Sequence, residues 1–354
     1  MTRSGAVATG SIDSTTDPVL LPLENQPRSP EFVTNLRGQR LHLRTTWPDG
    51  AAPPRALILS FHGYGSHASR PTHRFLSARF ASSGFAYAVL DFHGHGYSDG
   101  ERGLVNAPEH LLDDALAAAC ALYAPADGPG HAVAHRAAPG TPLYLMGLSM
   151  GGGVALITAC LLREGARAGL RSEFFEANRA ELEARVMPAF RGTLLFCPVL
   201  RVAVRSAARS LLLAPLAALA GRASLPAFLL DENDYNHLSW ASKDYIAYLT
   251  ADGWPRNPDG LSYGGNIRFR TLETILALGD LARSCVPLVH FPFVVFHDEV
   301  DSTVKIEGTQ HLMAEAPSAA KTFVPVVGGL HDIHANKPGA AAAGALEWLE
   351  TQMR

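Results

Sequence analysis

Residues 142–160 read PLYLMGLSMGGGVALITAC: an apolar run, a glycine-rich hinge, and a second apolar run. The hinge decides how the rest of the chain is read. Gly147-Leu148-Ser149-Met150-Gly151 fits G-x-S-x-G, in which a serine sits on a sharp turn between a strand and a helix. The turn closes only where the flanking positions lack side chains, which accounts for glycine at both. A helix starting at Met150 points its partially positive end at the hydroxyl and favours negative charge developing there. The competing reading is a small residue in a glycine-rich loop. A strand before and a helix after favour the nucleophile.

Working upstream, EFVTNLRGQRLHLRTTWP (31–48) predicts two short strands around a turn at Asn35 to Gly38. RALILSFHG is a buried strand running into a loop, THRFLSARFASSG a helix ended by Gly84, FAYAVLDF a strand, and EHLLDDALAAACALY a helix. Strand and helix alternate at the spacing of a mostly parallel sheet covered on both faces. DGPGHAVAHRAAPG (127–140) reads as a surface loop, and the charged run 163–191 as an extended helical elaboration before the strand GTLLFCP.

From 199 to 286 the alternation lapses. This stretch is too long for a loop and carries its own apolar runs, SLLLAPLAALA and RTLETILALGDLA, so it reads as an inserted cap. The sheet pattern resumes with FPFVVFHDEVD, a helix near 303–316, AKTFVPVV and the helix AAAAGALEWLETQM. The expected organisation is a tail over 1–30, a core over 31–198 and 287–354, and the cap between its two parts.

A serine needs a base and an acid to orient that base. In this arrangement they follow the serine in the order acid then histidine, each on a loop after its own strand. HDEVDSTV offers Asp298, Glu299 and Asp301, and VGGLHDIHANKP offers His331 and His334. The order favours Ser149 as nucleophile, His331 as general base and Asp301 as its orienting acid. For Asp301 the ordinary alternative is a turn or helix cap. His334 reads as a surface histidine. Two backbone N–H groups must meet the oxyanion: Met150, directly after the nucleophile, and Tyr64 in FHGYG (61–65) after the strand RALILSFHG.

A formal net charge of −3 gives no footprint for nucleic acid. Cys120, Cys160, Cys197 and Cys285 show no paired spacing and read as buried thiols of a reducing compartment. His93-Gly94-His95 has no third ligand at a helical or strand spacing, so neither metal nor cofactor is expected. The tail lacks a secretory apolar core, and Asp13, Asp17 and Glu24 count against a transit peptide. No run reaches the roughly 20 apolar residues of a membrane span. An intracellular protein, cytoplasmic or peripheral to a membrane, is expected.

FHGYGSHASR, LDFHGHGYSDGERG, LMGLSMGG, HDEVD and GGLHDIHANKP, in that order, resemble the monoacylglycerol lipase and lysophospholipase-like group of α/β-hydrolases from about residue 31 to the end. The resemblance implies the α/β-hydrolase fold, a serine esterase without cofactor, Ser149, Asp301 and His331 as the triad, and Tyr64 and Met150 as oxyanion amides. It also implies that YGGNIRFRTLETIL (263–276) lines an acyl-chain tunnel at the end of the cap. The family has arginine where His93 stands and glycine where Asp298 stands. The implied substrate is a single-chain lipid ester, a monoacylglycerol first, and an apolar cap fits contact with a membrane surface. Lysophospholipase, short-chain carboxylesterase, acyltransferase and non-catalytic ligand-binding readings stay open, as does the oligomeric state.

Overall fold

The computed structural model describes residues 31–50, 52–125, 133, 135–202, 215–225 and 261–354. The expected tail, much of the 127–140 loop and the larger part of the expected cap lie outside the described residues. Among the described residues, one sheet is built from β1 (Glu31–Thr34), β2 (Arg40–Thr46), β3 (Leu57–Phe61), β4 (Ala86–Leu90), β5 (Leu143–Leu148), β6 (Phe190–Phe196), β7 (Phe293–His297) and β8 (Lys321–Pro325). The order is β1-β2-β4-β3-β5-β6-β7-β8. β1 and β2 form an antiparallel hairpin whose β2 runs antiparallel to β4, and every other pairing is parallel.

β3, β4 and β5 are buried at every residue. That is why their sequences are unbroken apolar runs rather than alternating ones. Helices α1 (Pro71–Ser82), α2 (Pro108–Tyr123), α3 (Met150–Glu164), α4 (Phe269–Ser284), α5 (Ile306–Glu315) and α6 (Pro338–Gln352) cover the two faces. On one face Leu76 and Phe80 of α1 and Ala345 and Trp348 of α6 pack on Tyr87, Met146 and Phe296. On the other, Leu112 and Leu116 of α2, Val154 and Ile157 of α3, and Leu278 of α4 join Leu145 and Leu195. α4 falls within the expected cap segment, yet Ile275, Leu278 and Ala282 share this main core with α3.

The 163–191 run is helical but not one extended element. α3 ends at Glu164, and a short helix Glu173–Ala177 starts where Ser172 Oγ accepts from Phe175 N–H and donates to Asp113. Left-handed Gly169 and the proline at 188 divide the run, and tight turns carry the chain into β6 at Phe190. Local breakers override the charge pattern.

Candidate active site

β5 delivers Ser149 at its C-terminal end, between two parallel neighbours. Ser149 has φ 56° and ψ −117°, a conformation a side chain adopts at a cost of about 1–3 kcal/mol. Its surroundings hold it there: Ser149 N–H donates to Phe196 O at 2.9 Å, and Ser149 O accepts from Val199 and Gly153 N–H. The two motif glycines are steric necessities. A β-carbon on Gly147 would lie 2.1 Å from Gly151 O, and one on Gly151 would lie 2.2 Å from Phe61 O. The turn is therefore pressed against the end of β3, and the loop after β3 lies beside the hydroxyl.

His331 follows β8 on the loop 326–332. Its Nε2 is 2.9 Å from Ser149 Oγ and its Nδ1 is 2.8 Å from Asp301 Oδ2. Asp301 follows β7 and plays both roles weighed for it. Its Oδ1 accepts the Thr303 and Val304 N–H groups as a turn cap, leaving Oδ2 for His331. Burial pushes the Asp301 carboxyl up, but the His331 charge and hydrogen bonds from His297, His331 and Val304 outweigh it and hold it far below the usual range. Burial lowers His331, yet the charge and hydrogen bond of Asp301 overcome that and leave it above its ordinary value. Such a set can take the serine proton on Nε2 while a fixed carboxylate stabilises the imidazolium.

Two supporting roles were not read from the sequence, that of His297 and that of Asp298, which was weighed there only as a candidate acid. His297, the last residue of β7, places Nε2 at 3.2 Å from both Asp301 Oδ2 and Val304 O, while Nδ1 is 2.7 Å from Thr309 Oγ1. Two acceptors at Nε2 require the proton there, so His297 donates to the carboxylate. Asp298 Oδ2 accepts Leu330 N–H at 2.9 Å. Leu330 has φ 47°, so Asp298 braces a strained residue directly before His331. Asp298 is thus a strut for the histidine loop, and Asp301 is the acid that His331 touches. Cys197 (φ 40°) lies next to both loops, its Sγ 3.7 Å from Leu330 O. A histidine four residues before the acid was the one available sequence signal.

Met150 opens α3, where the backbone N–H has no acceptor four residues back in the helix. The Gly63 α-carbon lies against Ser149. Gly63 O accepts from His62 Nδ1 at 2.8 Å, and His62 Nε2 accepts Phe92 N–H. In a planar trans peptide this points Tyr64 N–H in the direction opposite to the Gly63 carbonyl. The Tyr64 hydroxyl donates to Gly103 O.

The histidines differ from expectation in part. His62 meets backbone at both ring nitrogens and His95 at Nδ1 alone, whereas His93 faces the buried Asp114 at 2.6 Å, where Arg37 of the β1–β2 turn brings a guanidinium. His334 is not a surface histidine. It is 1% exposed, its ring 4.4 Å from Phe196 and 5.9 Å from His73, and among the described residues neither ring nitrogen has a hydrogen-bond partner. Asp332 caps the short helix Ile333–Asn336 and so turns a polar-looking segment inward.

Burial lowers His334 from 6.5 to about 4. His62, also chiefly through burial, falls to about 4 and His95 to about 3. The unfolded chain binds these protons first. The stability from keeping them neutral is therefore complete above about pH 6.5 and is lost as pH falls toward about 4. His334→Leu is expected to move the acid-unfolding midpoint to lower pH, read by circular dichroism across a pH series. An unmoved midpoint would count against the burial argument.

Residues 52–170 match the family described as serine aminopeptidase, S33. The chain is 25% identical over 327 residues to a monoglyceride lipase from Homo sapiens, covering 90% of this chain and 91% of that protein. Among solved structures it resembles a monoacylglycerol lipase from Paleococcus ferrophilus (TM-score 0.64, 18% identity, 88% of this chain and 99% of that one). It also resembles a soluble variant of the monoglyceride lipase from Saccharomyces cerevisiae in complex with a substrate analog (TM-score 0.63, 17% identity, 94% and 98%). Fold and sequence similarity agree: the chain has the α/β-hydrolase fold of a serine ester hydrolase and is similar to monoglyceride lipases over most of its length.

Proposed function

We propose that this protein hydrolyses the carboxylic ester of a single-chain lipid, a monoacylglycerol above others, to a fatty acid and glycerol. The observation that carries the reading is the unbroken chain of contacts from Ser149 Oγ through His331 to Asp301 on a strained strand-to-helix turn. His331 Nε2 takes the serine proton as Oγ attacks the ester carbon, and Asp301 holds the Nδ1 proton in place. The Met150 and Tyr64 N–H groups receive the oxyanion. The imidazolium then gives its proton to the leaving glycerol oxygen. Water activated by the same nitrogen cleaves the acyl-serine.

The lipid preference rests on two supports. The relatives above are named for monoglycerides. The expected cap segment, apart from α4, adds a described helix at 215–220 that exposes Leu216 and Leu219, the latter at 87%. Among the described residues no helix is long and apolar enough to cross a membrane, so contact with lipid would be made through such side chains.

Fatty acid release from a long-chain monoacylglycerol, a lysophosphatidylcholine and a short-chain ester, compared under identical conditions, tests the assignment. The monoacylglycerol is expected to react fastest, and a serine-directed phosphonate should abolish the reaction. A faster lysophosphatidylcholine or short-chain ester replaces the substrate class. Acyl transfer to added glycerol in preference to water makes the protein an acyltransferase, and a folded protein inactive on all three points to a non-catalytic binding role.

A further inference from the structure

Cys197 has no part in the chemistry just described, yet it lies within the site. Its Sγ, an Asp301 carboxylate oxygen and a His331 ring nitrogen all lie within 4.8 Å of one another, and all three residues are buried. Cys197 is fixed there by the backbone. It directly follows β6 with φ 40°, its N–H donates to Phe296 O at 2.9 Å, and its thiol faces the Leu330 carbonyl. The site opens to solvent at His331, 6% exposed against 0% for Cys197 and 3% for Asp301.

We infer that Cys197, Asp301 and His331 form an inhibitory site for a thiophilic divalent cation, of the zinc or cadmium class. One thiolate, one carboxylate and one neutral imidazole are a ligand set that tetrahedral zinc accepts. Their two negative charges balance the ion, which a buried site requires. Bond lengths of 2.0–2.3 Å put zinc ligands about 3.3–3.7 Å apart, so a spread of 4.8 Å closes with shifts of about 1 Å. Magnesium and calcium, which seek six or more oxygens, do not fit.

The protons balance simply. The cation binds as Cys197 releases its thiol proton to solvent, and the imidazole proton moves from Nδ1, the nitrogen beside Asp301, to Nε2. A His331 that carries its proton on Nε2 has no lone pair for Ser149. Occupancy of the site and ester hydrolysis are therefore mutually exclusive. The inhibition rests on the proposed function, whereas the binding does not.

The test uses the full chain, as wild type, Cys197→Ser and Cys197→Ala. Cadmium chloride is titrated while the ultraviolet charge-transfer absorption of a cadmium thiolate is followed, and zinc chloride inhibition is measured against each protein's own zinc-free rate. The wild type should develop the band at one equivalent. Both variants should lose it and need about tenfold or more zinc for equal inhibition. Melting curves identify whichever variant is folded, and either suffices. An active wild type without the band, or a folded variant that keeps the band or the wild-type zinc sensitivity, overturns the site. A wild type with the band but no hydrolysis keeps the site and removes the esterase reading instead.

Discussion

Ser149→Ala is expected to lower ester hydrolysis by about five to six orders of magnitude, the loss seen when a serine nucleophile is removed. The size follows from its position. Oγ is the atom 2.9 Å from His331 Nε2, and without it only weak catalysis by oriented water and the oxyanion donors remains. Folding should be preserved. Alanine keeps the β-carbon and the backbone strain at φ 56°, and the backbone contacts that hold the turn do not involve the hydroxyl. Steady-state rates, a thermal melt and covalent labelling by a phosphonate decide the matter together. A variant that melts like wild type yet keeps a rate within tenfold, or still takes the label, would remove Ser149 from the reaction.

Asp301→Asn should cost about four orders of magnitude in kcat, by a route specific to this site. Oδ1 of Asp301 accepts two backbone N–H groups, from Thr303 and Val304. The asparagine amide must therefore place its oxygen there and turn its NH2 toward His331. Nδ1 becomes an acceptor, the proton moves to Nε2, and the base is in the wrong tautomer. The pH profile provides a second reading. Asp301 raises His331, so the rising limb of kcat/KM, which requires the neutral imidazole, has its midpoint above the ordinary value of 6.5 in the wild type and shifts to lower pH in the variant. A loss below tenfold, or an unshifted limb, would mean that another group orients His331.

What the sequence disclosed depended on how local its physics is. The serine turn was legible because two glycines and a hydroxyl fall within five residues, although the constraint on Gly151 is set by Phe61 O at the end of β3. The central strands were legible because burial on both faces leaves an unbroken apolar run. Asp298 and Asp301 could not be separated by type or spacing; what separates them is that one oxygen meets Leu330 N–H and the other His331 Nδ1. The placement of Cys197 beside the acid and base depends on β6 and β7 lying side by side, a pairing of residues some hundred positions apart. His334 misled because a capped four-residue helix has no periodicity by which to announce a buried face. The 163–191 run is helical as expected, but its charge pattern did not show where a glycine, a serine cap and a proline divide it.

The order in which the strands join the sheet has a consequence in time. The serine turn is complete once β5 lies between β3 and β6, whereas its acid and base arrive on the loops after β7 and β8, the last two strands of the chain and neighbours at one edge of the sheet. The segments that carry the acid and the base are therefore the last part of the sheet to be synthesised. A complete site requires the last parallel strand pair at the edge of the sheet, so esterase activity would report that the C-terminal edge, and not only the central sheet, has folded.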